Sequence, residues 1–373
     1  MVQIDTSGLY ILVCGIILSL FWGYEAQKQR DLARRLNNGK RKAIITRKAV
    51  ILMVLSCLGM WLPSALRYNV GLDNANYLMQ FNYMTTLSDA FSYYEPGFGL
   101  LCYFCKSVFN SFQALIFITA LLTGGLMWKC IYRYSNSIVL CILGFIAVNM
   151  YFMSFTVIRQ FIAIAILMNT IEYIKNKKLT KFLILWVLAV SFHYTASLFI
   201  VLYFVYSDSG KLITWKNAMI LLATVIFFYS INNVIGSVFS AVGILREGYS
   251  SYEGGDSIKD IKELVFLLPY PILFLVCRNF FEHINKFLNV LFWILVLLIL
   301  TKAIGIMFPN LSRMHYYFIF GGPLLVSFST KFKNNGYRLF VPICFSVYYL
   351  WSIYNIYKYQ WDDFLPFYTI FSE

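Results

Sequence analysis

Lys181-Phe-Leu-Ile-Leu-Trp-Val-Leu-Ala-Val-Ser191-Phe-His193-Tyr-Thr195-Ala-Ser197-Leu-Phe-Ile-Val-Leu-Tyr-Phe-Val-Tyr206 is longer than the roughly 20 residues that a membrane-spanning helix needs. Its polar residues, Ser191, His193, Tyr194, Thr195 and Ser197, sit in its middle instead of at its ends. A single kinked crossing is one reading. A broken or re-entrant segment is the other, because irregular backbone at that depth is tolerated where it lines a cavity.

The neighbouring charges choose between them. Apolar runs fall near 9–24, 49–66, 111–128, 136–155, 160–174, 217–236, 261–277, 287–307, 312–330 and 339–357. Met1 to Gly8 holds an acid and no basic residue, and the positive charges follow the first run. That run therefore reads as a retained helix with its N-terminus outside, not as a removable signal peptide. The positive-inside rule then puts the basic loop 25–48 inside, with nine Lys/Arg against two acids. Residues 67–110 fall outside, Lys129 and Arg133 inside, and Lys175, Lys177, Lys178 and Lys181 inside. If 181–206 crosses once, the later loops holding Lys211, Lys216, Arg278, Lys286, Lys331, Lys333 and Arg338 all lie outside. If it turns back, all seven lie inside. The re-entrant reading is preferred.

Composition sets the class. Of 373 residues, 60% are apolar and 13% charged, with a mean hydropathy of +0.68. A soluble globule this apolar lacks the polar residues to coat its surface. The chain reads as an all-α polytopic integral membrane protein of about 10–12 transmembrane helices, forming one transmembrane domain over 1–373. A β-barrel would alternate over about 10 residues, and these runs do not. The net charge of +14 follows largely from the 25–48 loop and implies anionic lipid, not nucleic acid. The eight cysteines mostly sit within apolar runs and read as packing, including the pair Cys102 and Cys105.

Two polar insertions share the outer face, 67–110 and 237–260, both rich in tyrosine and acids. Pro96, Phe98, Leu100, Leu101 and Phe104 predict a short interfacial helix within 95–108.

Ionisable residues near apolar runs are functional candidates. Arg67 at a span edge suits a snorkelling anchor or a fixed cation for phosphate, with Asp73 as base or sugar-hydroxyl acceptor. Glu95 in Glu95-Pro-Gly-Phe98 either complements a helix dipole or faces substrate. Arg159, with Gln160, opens an otherwise apolar span and needs an anionic partner or water. His193 would share a helical face with Ser197 if that part is helical, as general base or hydrogen-bond donor. Arg313 with Tyr316 and Tyr317, and Arg246 with Tyr249 and Tyr252, form Arg–Tyr faces suited to diphosphate and sugar, or else a cationic aromatic belt. Phosphate loops, Rossmann glycines, nucleophile elbows and metal spacings are absent, so no metal or other cofactor is expected.

The order Arg67…Gly71-Leu-Asp73…Tyr77, Glu95-Pro-Gly-Phe98, Arg159-Gln160-Phe-Ile-Ala-Ile-Ala and Lys181-Phe182…Phe192-His193-Tyr194-Thr-Ala-Ser197 resembles the EpsG family of bacterial polysaccharide polymerases, related in role to the Wzy O-antigen and capsule polymerases. The resemblance is best over roughly 60–200. The family pattern often has Gly-x-Asp followed by Tyr, whereas Asn74-Ala-Asn76 here precedes Tyr77. It implies a membrane glycosyltransferase of GT-C-like architecture. Such an enzyme joins oligosaccharide repeat units carried on undecaprenyl diphosphate, on the outer face of the cytoplasmic (inner) membrane, with no bound metal. His193, Glu95 and Asp73 then become the candidate catalytic residues. Arg67, Arg159, Gln160, Tyr77, Arg246, Tyr249, Tyr252, Arg313, Tyr316 and Tyr317 become candidates for binding the lipid-linked oligosaccharide. A chain-length regulator and a flippase are implied partners. The rival readings are an O-antigen ligase, a polysaccharide O-acyltransferase, a transporter of lipid-linked sugars and a non-enzymatic scaffold.

Overall fold

The structure, a computed structural model, describes residues 7–36, 39–207, 213–242, 257–278, 286–359 and 364–371. Arg246, Tyr249 and Tyr252 lie outside the described residues. The fold is all-helical, 85% helix, and no strand occurs among the described residues.

Helices α1 (Ser7–Arg35) and α2 (Lys40–Leu66) pack as an antiparallel pair. The basic stretch 25–48 was expected as a loop, but nearly all of it is helix. Its Lys, Arg, Gln and Ala are good helix formers, so both helices run on past their apolar parts. Small residues let the pair approach, and Ser56 donates from Oγ to the Ser19 carbonyl at 2.7 Å. At the basic end Arg30 donates to the carbonyls of Tyr132 and Asn136 at 2.8 and 2.9 Å, closing the end of α6 (Phe112–Tyr134).

The insertion 67–110 folds into α3 (Asn74–Tyr83), α4 (Leu87–Tyr93) and α5 (Pro96–Phe109). The helix predicted within 95–108 is present as α5, which buries Phe98, Cys102 and Cys105 and exposes Leu100, Phe104 and Val108. The run 136–155 becomes α7 (Ile138–Ala147) and α8 (Met150–Thr156), bent by 50° at Asn149, whose φ is +61°. α9 (Ile158–Met168) and α10 (Ile171–Lys175) then lead back towards the basic end, where Glu172 pairs with Arg133 at 2.9 Å and Lys175 at 2.8 Å.

The run 181–206 is broken and turns back on itself. α11 (Leu179–Phe192) stops at His193, which is extended at φ −159° and ψ 119°. A 3₁₀ turn (Tyr194–Phe199) and α12 (Ile200–Val205) follow. At the foot of this hairpin, Lys177 donates to the carbonyls of Tyr203, at 3.0 Å, and Tyr206. The rings of Phe182 and Tyr203 stack at 4.9 Å. In one straight helix these residues would stand roughly 30 Å apart at 1.5 Å per residue. His193 is therefore at the tip of a re-entrant hairpin, and the helical face expected to join it to Ser197 does not exist.

α13 (Trp215–Val242) follows. The run 261–277 is two helices, α14 (Ser257–Leu267) and α15 (Pro269–Cys277), because a proline inside an apolar run interrupts the helix. α16 (Lys286–Met307) is continuous. The next run, 312–330, is a 3₁₀ segment (Pro309–Tyr317) and α17 (Gly321–Phe328), lying back along α16. α18 (Asn335–Tyr359) exposes Leu339, Phe340, Val347 and Leu350, as a lipid-facing helix does.

Five described helices are long and apolar enough to cross a membrane alone, or six with the bent α7–α8 pair. The remaining apolar runs are built from shorter pieces. Lys302, inside α16, is 1% exposed and sits between Asp260 at 2.7 Å and Glu263 at 2.6 Å from α14.

Candidate active site

Glu95 lies just before α5, where Pro96 occupies the first turn. Upstream, Asp89 closes a capping box with Thr86. It accepts from the backbone N–H groups of Thr85 and Thr86 at 2.9 and 2.8 Å, and these bonds hold its carboxyl down to about 2. Asp89 thus fixes the entry to the turn that presents Glu95.

Gly97 brings α5 against the end of α11. A methyl group there would meet Ser191 Oγ at 2.4 Å and the Ser191 carbonyl oxygen at 2.9 Å. Only a residue without Cβ permits this approach, and it sets Glu95 beside the hairpin tip. The Nδ1 of His193 is 2.8 Å from Glu95 Oε1. Arg159, in the first turn of α9, donates to Glu95 Oε2 at 2.6 Å. A cation at a helix N-terminus is disfavoured by the dipole, and the carboxylate offsets this. Arg159 also donates from Nε to Tyr77 Oη at 3.3 Å and lies over the rings of Tyr77 and Tyr94, at 5.8 and 5.6 Å.

Glu95 is 5% exposed. Burial alone would raise its pKa, but the bond with His193 and the Arg159 charge bring it down to about 2. The side chains of His193 and Arg159 remain 23% and 29% exposed. The carboxylate is thus enclosed, while its two partners keep a face that a substrate can reach.

The 3₁₀ segment Pro309–Tyr317 closes the other side. Gln160 donates to the Arg313 carbonyl at 2.9 Å. The hydroxyls of Tyr317 and Thr195 are 2.8 Å apart, joining this segment to the hairpin tip. The guanidinium of Arg313 is 3.7 Å from Asp73, and both side chains are more than 30% exposed. Gly71, at φ +104°, packs directly on the Phe155 backbone and so places Asp73 at this edge.

The structure thus brings together Tyr77, Glu95, Arg159, Gln160, His193 and Tyr317, with Asp73 and Arg313 paired at the margin. Tyr316 and Tyr317 lie on different sides of the 3₁₀ segment, as successive residues of any helix do. The Tyr316 ring packs near Phe161 at 5.9 Å. Arg67 is not joined to the cluster. It is 3% exposed, donates to Ser64, and lies over the Phe155 ring at 4.9 Å.

Thr195, Tyr94 and Gly97 contribute to the site without having been singled out. Thr195 was visible as one of the polar residues in the middle of its run, and Gly97 lies inside the Glu95 motif. Tyr94 immediately precedes it. Among the described residues no group of three or more His, Cys, Asp or Glu could hold a metal.

A model of the EpsG family matches residues 50–369. The chain belongs to the EpsG family. The match begins within α2 and includes every residue of the cluster, so the site lies in the EpsG-family part of the chain. No curated protein matches, and no solved structure does. Together with its long apolar helices, the family makes this a multi-pass membrane protein of polysaccharide biosynthesis.

Proposed function

We propose that this EpsG-family protein is a glycosyltransferase that polymerises oligosaccharide repeat units carried on undecaprenyl diphosphate, building an O-antigen, capsule or exopolysaccharide. The observation that carries the reading is Glu95 bridging Arg159 and His193 at the hairpin tip. A carboxylate on Nδ1 holds a histidine with its Nε2 lone pair directed outward, the arrangement of an oriented general base.

In the reaction, a hydroxyl of the incoming repeat unit attacks the anomeric carbon at the reducing end of the growing chain. His193 takes the hydroxyl proton at Nε2. The new C–O bond forms as the bond to the carrier's diphosphate breaks, and the diphosphate leaves with the electron pair. Arg313 at the exposed margin, and the open edge of Arg159, meet the departing charge. Tyr77 and Tyr317 are buried behind this surface, where their hydroxyls hold Arg159 and Thr195 in place. Asp73 orients Arg313 or accepts from a sugar hydroxyl. No metal or other cofactor takes part in this scheme. The active side faces the periplasm or cell exterior from the cytoplasmic membrane, with a flippase supplying substrate and a chain-length regulator setting the product.

The test uses purified protein with an undecaprenyl diphosphate-linked repeat unit and no other protein. The expected product is a ladder rising by whole repeat units, absent with His193→Ala. Intact substrate after prolonged incubation, with a control polymerase active in the same micelles, would overturn the reading.

A further inference from the structure

Between Leu66, where α2 ends, and Asn74, where α3 begins, the chain has no helical ladder of its own. Its backbone must be held by its surroundings, and this stretch carries Asp73 to the margin of the site. Arg67 stands at its start, 3% exposed and outside the Glu95 cluster. Its guanidinium meets the end of a helix rather than a carboxylate. It donates to the Ser64 carbonyl and, at 3.1 Å, to Ser64 Oγ, in the last turn of α2. The carbonyls there form the negative end of the helix dipole. The guanidinium also lies over the Phe155 ring at 4.9 Å.

The backbone of 66–68 is held by a distant segment, 364–371. Arg67 faces Thr369 in an antiparallel bridge. The Tyr68 N–H donates to the Tyr368 carbonyl and the Ile370 N–H to the Leu66 carbonyl, both at 2.9 Å. Phe364 stacks on Phe152 of α8 at 4.1 Å, and the Phe367 ring is 6.0 Å from that of Phe155. Gly8 of α1 packs directly on the Phe367 carbonyl. Phe364, Phe367 and Thr369 are buried. Phe155 belongs to both halves of this arrangement. Its ring meets Arg67 and Phe367. Its carbonyl oxygen is the surface under Gly71, where a Cβ would lie 2.8 Å away. Two residues past Gly71 is Asp73, 3.7 Å from Arg313.

We propose that Arg67 is a positioning residue, and that it and the strap 364–371 form a clasp that sets Asp73 against Arg313. Arg159 and Arg313 keep exposed faces that a substrate can reach, and Arg67 keeps none. A guanidinium suits the centre of the clasp because its plane covers a ring while its N–H groups reach the helix end. Lysine keeps the charge and loses the plane. The effect on catalysis rests on the polymerase reading, and the effect on the backbone of 66–74 does not.

The experiment reads amide hydrogen exchange by mass spectrometry on the full chain in nanodiscs. Two variants loosen the clasp from its two halves. Ile370→Pro removes the N–H that reaches Leu66, from a residue whose side chain is exposed, and Ile370→Ala is its control. Arg67→Lys removes the planar fork. Exchange over 66–74 should rise at least tenfold in both, with α11 unchanged and Ile370→Ala like the wild type. Wild-type exchange over 66–74 in a folded Ile370→Pro protein would overturn the clasp. So would a rise of equal size in α11. In ladder assays each variant should lower kcat at least fivefold. Asp73→Asn should remove that sensitivity, so that adding either variant to it changes kcat less than twofold. Losses that simply multiply would show that Arg67 does not act through Asp73. Where Arg67→Lys fails to insert, Ile370→Pro decides. Raised exchange over 66–74 in a protein that makes no ladder sinks the polymerase reading alone. A ladder whose kcat is indifferent to both variants sinks the clasp alone.

Discussion

Glu95 has two carboxylate oxygens and two partners, and each partner makes a different demand on it. Arg159 needs its charge, and His193 needs an acceptor at Nδ1. Glu95→Gln keeps the shape and supplies neither reliably. We expect activity to fall by about 10²–10⁴-fold, as for loss of a general base, and stability by roughly 1–3 kcal/mol. A ladder assay and thermal unfolding check the two. The pH dependence has a definite sign. The pKa of Glu95 is depressed in the folded protein, to about 2. Its contribution is therefore present above the ordinary carboxylate range and lost as pH falls. The difference in unfolding temperature between wild type and Glu95→Gln should be constant above about pH 5 and shrink towards pH 2. A difference that widened on acidification would mean that the two partners do not hold the carboxylate ionised.

At the scale of elements, the site depends on how closely α5 approaches the end of α11. A methyl at Gly97 would lie 2.4 Å from Ser191 Oγ and 2.9 Å from a backbone oxygen. The hydroxyl can rotate away, but the backbone cannot. Gly97→Ala should cost about 1–3 kcal/mol by overpacking and lower activity with little loss of insertion. Gly124→Ala, which meets nothing closer than 3.6 Å, serves as the control. Normal activity in Gly97→Ala would mean that Glu95 reaches His193 by another path. The broken hairpin was legible in the sequence because polar side chains in the middle of an apolar run and the later basic loops both favoured it over a kinked single crossing. Glu95, Arg159 and His193 were legible because an ionisable group in an apolar setting must have a reason, and Gln160 because it stands beside Arg159. Three things were not legible. The segment 309–317 winds as 3₁₀, so Arg313, Tyr316 and Tyr317 do not form the single face that α-helical i, i+3 and i+4 spacing implies, and nothing in that spacing announces it. The basic stretch 25–48 was read by charge, which says where it lies but not whether it is helical. Arg67 was recognised as exceptional, but its direction depends on Gly71 and Phe155, which meet only in three dimensions.

For the whole molecule, the hairpin decides which ends face the same way. Lys178 and Ile213, both exposed, flank it and belong on one side with Arg133. Tyr83, exposed at the end of α3, belongs on the other. In a background without native cysteines, Lys178→Cys and Ile213→Cys should react with an impermeant thiol reagent only after lysis, and Tyr83→Cys in intact spheroplasts. Opposite behaviour of Lys178→Cys and Ile213→Cys would mean that the segment crosses once. The triad of Lys302, Asp260 and Glu263 bears on something other than the finished shape. During synthesis α14 emerges before α16, so Asp260 and Glu263 leave the ribosome before Lys302, with only their neighbours Lys259 and Lys262 beside them. An unpaired charge raises the free energy of insertion by roughly 2.5–3.5 kcal/mol at the centre of a helix, and by less towards the end where Lys302 lies. The segment bearing Lys302 therefore enters more readily if α14 is still beside the translocon when it arrives. Lengthening the chain between these helices should then lower the yield of inserted protein, even though Glu95, Arg159 and His193 have by then already been made.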